Sequence, residues 1–137
     1  MSIERVNPPR LAKPAGFSHA VVGTGTIVFL AGQTALDPSG NIVNGGVVSQ
    51  FETALGNLLA ALEAAGGRPD QLASLTVYAV DLGDYRAHAR EIGQVWRRLV
   101  GTDYPAMAGI GVTRLWDEDA LVEVQGFAVL DRPAGQG

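Results

Sequence analysis

Residues 47–80 read VVSQFETALGNLLAALEAAGGRPDQLASLTVYAV, and a change of period inside this stretch decides the fold. Phe51, Leu55, Leu58, Leu62 and Ala65 recur at 4-3-4-3 spacing, the apolar face of a helix, with Gln50, Glu52, Asn57 and Glu63 off it. Gly66-Gly67 supplies a residue suited to a left-handed C-cap, so the spacing predicts a helix over about 48–65. Leu72–Val80 then runs nearly all apolar and β-branched, the pattern of a strand covered on both faces. A helix delivering the chain into such a strand is a building unit of layered α+β domains.

Working outward, Asp84 reads as the N-cap of a second helix. There Tyr85, Ala89, Ile92, Trp96 and Leu99 repeat the 4-3-4-3 spacing while Arg86, Arg90, Gln94 and Arg97 face away. Met107–Leu115 and Ala120–Leu130 read as the last strands, joined by Trp116-Asp117-Glu118-Asp119 and followed by a tail over 131–137. On the other side, Phe17–Val22 and Thr26–Ala31 flank Gly23-Thr24-Gly25 as the two arms of a hairpin. Asp37-Pro38-Ser39-Gly40-Asn41 and Gly45-Gly46 mark turns. Residues 1–16, with Pro8, Pro9 and Pro14, form an extended lead-in, because each proline fixes φ and removes a donor. Residues 1–137 thus read as a single α+β domain: a mixed sheet with two helices on one face. The strands are apolar on both sides and no chain is left for the second face, so self-association is the cheapest cover for it.

Composition removes whole classes of chemistry. The 137 residues hold no cysteine, so disulfides, thiolate nucleophiles, iron–sulfur clusters and Cys-ligated zinc are excluded. The lack of cysteine makes a reducing cytoplasm the natural location. His19 and His88 are the only histidines, with no HExxH spacing and no Ser-His-Asp set, so no metal site is expected and both read as ordinary surface or edge residues. Ten Lys+Arg against fourteen Asp+Glu, a net charge of −4, leave no basic surplus for phosphates, so nucleic acid is not expected as a partner. The N-terminus lacks an apolar signal region, and no apolar run approaches the roughly 20 residues of a membrane span.

One strand position carries potential chemistry. In Leu121-Val122-Glu123-Val124-Gln125-Gly126-Phe127-Ala128-Val129 a lone carboxylate sits in an apolar run, sharing a strand face with Leu121, Gln125 and Phe127. Partial desolvation there would raise the Glu123 pKa and suit it to general acid–base work. On periodicity alone the alternative stands equally, that Glu123 is the polar residue of a wet sheet face. Met107-Ala108-Gly109-Ile110-Gly111-Val112 places two glycines in a strand pattern, marking either a bulge or a close approach by a ligand or backbone. Ala31-Gly32-Gln33-Thr34 offers backbone amides and an amide side chain at a strand end, without the spacing of a phosphate loop.

These blocks, taken in order, resemble the RidA/YjgF/YER057c family of reactive-intermediate deaminases, once labelled L-PSP endoribonucleases. The resemblance runs from about Phe17 to Val129. It rests on Phe29-Leu30-Ala31-Gly32-Gln33, Gln50 through Gly66, Thr76-Val77-Tyr78-Ala79-Val80-Asp81-Leu82, Tyr104-Pro105-Ala106 and Val122-Glu123-Val124. It implies a chorismate-mutase-like fold, a homotrimer whose sheets form a central barrel, and three clefts at the subunit interfaces. It further implies hydrolysis of imines and enamines to carbonyl compounds and ammonia, without metal or cofactor. Glu123 matches the family's acidic residue and Gly32 its backbone position beside the substrate.

The departures are equally specific. Where active deaminases read Pro-Ala-Arg, this chain reads Pro105-Ala106-Met107, and a thioether cannot replace a bidentate guanidinium clamping a carboxylate. Ala108 and Gly109 stand where a small polar residue and Cys are frequent, and Phe17 replaces a Tyr. Two readings follow: a divergent hydrolase whose substrate lacks a carboxylate or is held by another base such as Arg114, or a non-catalytic metabolite-binding or regulatory member. For Arg114 a surface salt bridge to Asp117 or Glu118 is the alternative. Ribonuclease activity fits poorly with the acidic charge.

Overall fold

A computed structural model describes residues 3–131. Strands β1 (Ile3–Val6) and β2 (Ala20–Gly23) precede β3 (Thr26–Gln33), helix α1 (Gly46–Ala64) and β4 (Leu72–Ala79). Helices α2 (Leu82–Ala87) and α3 (Ala89–Leu99) lead to β5 (Ala106–Gly111) and β6 (Val122–Leu130). The main sheet has the order β3-β6-β4-β5, with β6 antiparallel to both neighbours and β4 parallel to β5. Each parallel relation is made across a helical crossover, α1 between β3 and β4 and α2–α3 between β4 and β5, as parallel strands require. This is the α+β class read from the sequence.

The period of α1 explains its burial. Phe51, Leu55, Leu58 and Leu62 are nearly or fully sealed and pack on Leu30, Leu75, Val122 and Val124 from one sheet face, with Ile92, Val95 and Trp96 of α3 completing the layer. After α1 the chain reverses through Gly66 at φ 92°, whose N–H donates to Glu63 O while Gly67 N–H donates to Leu62 O, a glycine-terminated stop in the expected place. Among the described residues no helix covers the opposite sheet face. Phe29 is 76% exposed there, and Ile27, Ile110 and Phe127 are each exposed by 42–57%.

Four local expectations are corrected. Gly23-Thr24-Gly25 does not close a hairpin: β2 pairs with β1 in a separate two-stranded sheet, while β3 pairs with β6. The lead-in accordingly contributes a strand, Ile3–Val6, whose Ile3 is buried. The second helix begins earlier than Asp84, because Asp81 is the N-cap and its carboxylate accepts from Asp84 N–H at 3.0 Å. The fifth strand ends at Gly111, so residues 112–115 are loop. Of the tail over 131–137, residues 132–137 lie outside the described residues.

Candidate functional site

Strand β6 sets the position of Glu123. Val122 and Val124 on either side are sealed in the helix-covered core, so alternation turns Glu123 to the open face, where it lies opposite Tyr78 of β4. On the other flank runs β3, and there a Cβ at Gly32 would collide with the Glu123 carboxylate. A side chain there would push the carboxylate out of its present place, which ties the early Gly32 to the late Glu123. The carboxylate is half-buried, and its pKa is raised, first by desolvation and then by the nearby charge of Asp117. Asp117 is itself held by the buried Thr34, whose hydroxyl donates to its Oδ2 at 2.6 Å.

Two polar residues of α1 brace the loops around this carboxylate. Gln50 is buried; its Nε2 donates to Asp119 O at 3.1 Å and its Oε1 accepts from Leu121 N–H at 2.7 Å, fixing the entry into β6. Asn57 Nδ2 donates to Thr34 O and Leu36 O at 3.1 and 2.9 Å, fixing the exit from β3. Gln50 belongs to the buried face rather than off it, a correction to the helical reading. The signal was present: Gln50 precedes Ala54 and Leu58 at four-residue steps along the buried stripe, and an amide both donates and accepts.

Phe17, Met107, Ala108 and Gly109 gather elsewhere, at the β5 edge. Ser18 N–H donates to Pro105 O at 2.9 Å, laying the segment after Gly16 alongside β5 and setting Phe17 beside Met107. Together with Gly16, Val77 and Tyr85 these residues line a cavity of about 300 Å³. A Cβ at Gly109 would meet nothing within 4 Å, so the edge glycine leaves open space. Met107 pairs with Leu75 and packs against the core, on the helix-covered side. Met107 and Glu123 therefore sit on opposite faces of the sheet within one chain.

The remaining candidates divide between these places. Gln33 lies opposite Val124 at the end of β3, next to Gly32. Arg114 is exposed in the loop after β5, lining a separate cavity with Glu118 and Leu121, and the structure brings it to neither group. It makes no ion pair with Asp117 or Glu118. His88 pairs with Asp84 at 3.2 Å one helical turn away, and its pKa is raised chiefly by its hydrogen bond with the Asp84 carbonyl. Among the described residues no helix is long and apolar enough to cross a membrane.

A mixed sheet with helices on one face, built from this sequence, has counterparts among known proteins. The family model described as Endoribonuclease L-PSP matches residues 8–130. A RutC family protein of Pyrococcus abyssi is 31% identical over 129 residues, covering 93% of this chain and 98% of that protein. A 2-iminobutanoate/2-iminopropanoate deaminase of Capra hircus is 33% identical over 114 residues, covering 82% and 79%. The crystal structure of a Rid-family protein of unknown function from Yersinia pestis superposes with a TM-score of 0.85 at 32% identity, covering 95% of this chain and 100% of that one. The chain belongs to the RidA/YjgF family.

Proposed function

We propose that this protein is a divergent Rid-family hydrolase that converts an imine or enamine to a carbonyl compound and ammonia. The observation that carries the reading is the Glu123 carboxylate, half-buried against Gly32 with a raised pKa. A carboxylate so placed can accept a proton from water as that water adds to the iminium carbon, forming a carbinolamine. It can then return the proton to nitrogen as the C–N bond breaks and ammonia leaves, the hydroxyl proton passing to that ammonia as the carbonyl forms. The polypeptide supplies this chemistry without a metal or cofactor. The deaminase of Capra hircus, named for 2-imino acids, supports the reaction class.

The substrate is not the standard one. Met107 stands where the resemblance places an arginine that clamps a substrate carboxylate, and its thioether sits against the core instead of offering a charge. We infer a substrate that is carboxylate-free or held by a different base. The open sheet face, with Phe29 76% exposed, favours a homotrimer in which sheets meet around a central barrel and the clefts fall between subunits. Glu123 and Met107 lie on opposite faces of one sheet, so a cleft uniting both kinds of residue needs two copies. Assembly in the cytoplasm, with a small-molecule substrate and no nucleic-acid or membrane partner, completes the reading.

The same loss at position 107 favours the second reading, a cleft that binds a small metabolite without turning it over. A coupled assay of imine hydrolysis over amino-acid-derived and carboxylate-free imines, comparing the native chain with Met107→Arg, separates the two. Native activity confined to the carboxylate-free imines is the expected result. Silence of the native chain on every imine, with activity appearing only in the arginine variant, overturns the hydrolase in favour of binding.

A further inference from the structure

The end of β3 gathers two carboxylates from different parts of the chain. Gly32 abuts the carboxylate of Glu123, and two residues on, the hydroxyl of Thr34 donates to Asp117 Oδ2 at 2.6 Å. Thr34 is buried, and its carbonyl accepts from Asn57 Nδ2 at 3.1 Å, so the donor is itself held in place. Asp117 belongs to the loop of residues 112–121, where Trp116, Glu118 and Asp119 are exposed and Asp117 is half-buried. The loop turns this one acid in toward β3. Ala120 N–H donates to Asp117 O at 3.0 Å, and Gln50 holds Asp119 O, which fixes the backbone behind it.

No cation answers the two acids. Arg114, the only basic residue of that loop, is exposed and forms no ion pair with Asp117. Across the sheet β4 presents Tyr78 to Glu123, β6 itself adds Gln125, β3 offers Gly32, Gln33 and Thr34, and α1 reaches the loops with the neutral amides Gln50 and Asn57. The remaining acid of the loop's turn, Glu118, points to solvent. A like charge without a counter-cation raises the proton affinity of its neighbour. The pKa of Glu123 is raised first by desolvation and then by Asp117. A carboxylate that must take a proton from water is the better base for holding that proton more tightly.

On the hydrolase reading of Glu123, on which this rests, we propose that Asp117 is a positioning residue. Moored by Thr34, it keeps a negative charge beside Glu123, so that Glu123 draws the proton from the attacking water and holds it until nitrogen takes it.

Asp117→Asn separates charge from shape, because an amide oxygen still accepts from Thr34 after the charge is gone. The side-chain carboxyl resonance of Glu123, identified by its absence in Glu123→Gln, is titrated by NMR, and ammonia release from the imine panel is followed over the same pH range. In Asp117→Asn the Glu123 midpoint, and the limb of the rate profile that follows it, are both expected to move to lower pH. Thr34→Val cuts the mooring and should move both the same way, while Thr34→Ser keeps the hydroxyl and should restore them. A Glu123 midpoint unmoved in Asp117→Asn overturns the proposal, and so does a midpoint that falls while the rate profile stays where it was. A native chain silent on every imine at every pH is a failure of the hydrolase reading alone, and the NMR midpoint then decides whether Asp117 governs the Glu123 proton.

Discussion

The two faces of the main sheet are built from the same four strands yet are finished in opposite ways. On one face Leu30, Leu75, Val122 and Val124 meet Leu55, Leu58 and Leu62 of α1 and leave almost no surface. On the other, Phe29 and Phe127 touch edge to face at 5.4 Å between ring centroids while remaining exposed, and the neighbouring polar groups are Tyr78, Gln125 and Glu123. A finished face needs nothing more. An apolar face left open is a surface on which a partner can be seated, and Glu123 is the carboxylate that lies on it.

Substitutions on the two faces should sharpen this contrast. Leu58→Ala removes a fully buried side chain and is expected to cost about 2–5 kcal/mol in urea unfolding, since the cavity adds to the lost transfer energy. Phe29→Glu is expected to leave far-UV circular dichroism unchanged while lowering the sedimentation coefficient from that of the proposed trimer to that of a single chain. A variant that unfolds, or that sediments like the native protein, breaks the distinction between the faces. Gln50→Leu falls next in size. It leaves the Leu121 N–H without its acceptor at the entry to β6, which should cost about 1–3 kcal/mol by denaturant unfolding.

The smallest effect concerns the charge of Glu123 and reads out against pH. Its pKa is raised in the folded chain, so the native state holds the proton more tightly than the unfolded state. Stability from this group is present below the ordinary glutamate range and is lost as pH rises through the raised folded value. Glutamine does not titrate. The stability advantage of Glu123→Gln over the native chain should therefore widen from acid to neutral pH, measured by thermal unfolding across that interval. A gap that narrows instead would mean the carboxylate is stabilised as an anion.

How much of this was legible in the sequence depended on the range of the interaction concerned. Helices α1 and α3 and strand β4 were readable because their periods are local, with Phe51, Leu55, Leu58 and Leu62 repeating within one element. Strand partnership was not. The turn at Gly23-Thr24-Gly25 looks like a hairpin in isolation, yet β2 finds its partner in Ile3–Val6 and β3 finds its partner nearly a hundred residues on, in β6. Local turn chemistry cannot report pairings made at such separation. Glu123 stood out as a lone acid in an apolar strand. What periodicity left undecided was its face and its neighbour, and the structure resolves both through Val122, Val124 and the missing side chain of Gly32. Gln50 and Asn57 carry no such signal, because an amide on a helix has the pattern of a solvated residue, and only the loops each one holds give it away.

Glu123 is the group proposed to move protons for an attacking water. Its most direct test is ammonia release from the imine panel by the native chain and by Glu123→Gln, with assembly checked by sedimentation. General acid–base groups contribute on the order of 10²–10⁴-fold, so a loss of that size with the assembly intact is predicted. Turnover by Glu123→Gln equal to that of the native chain would contradict the account and remove Glu123 from the mechanism.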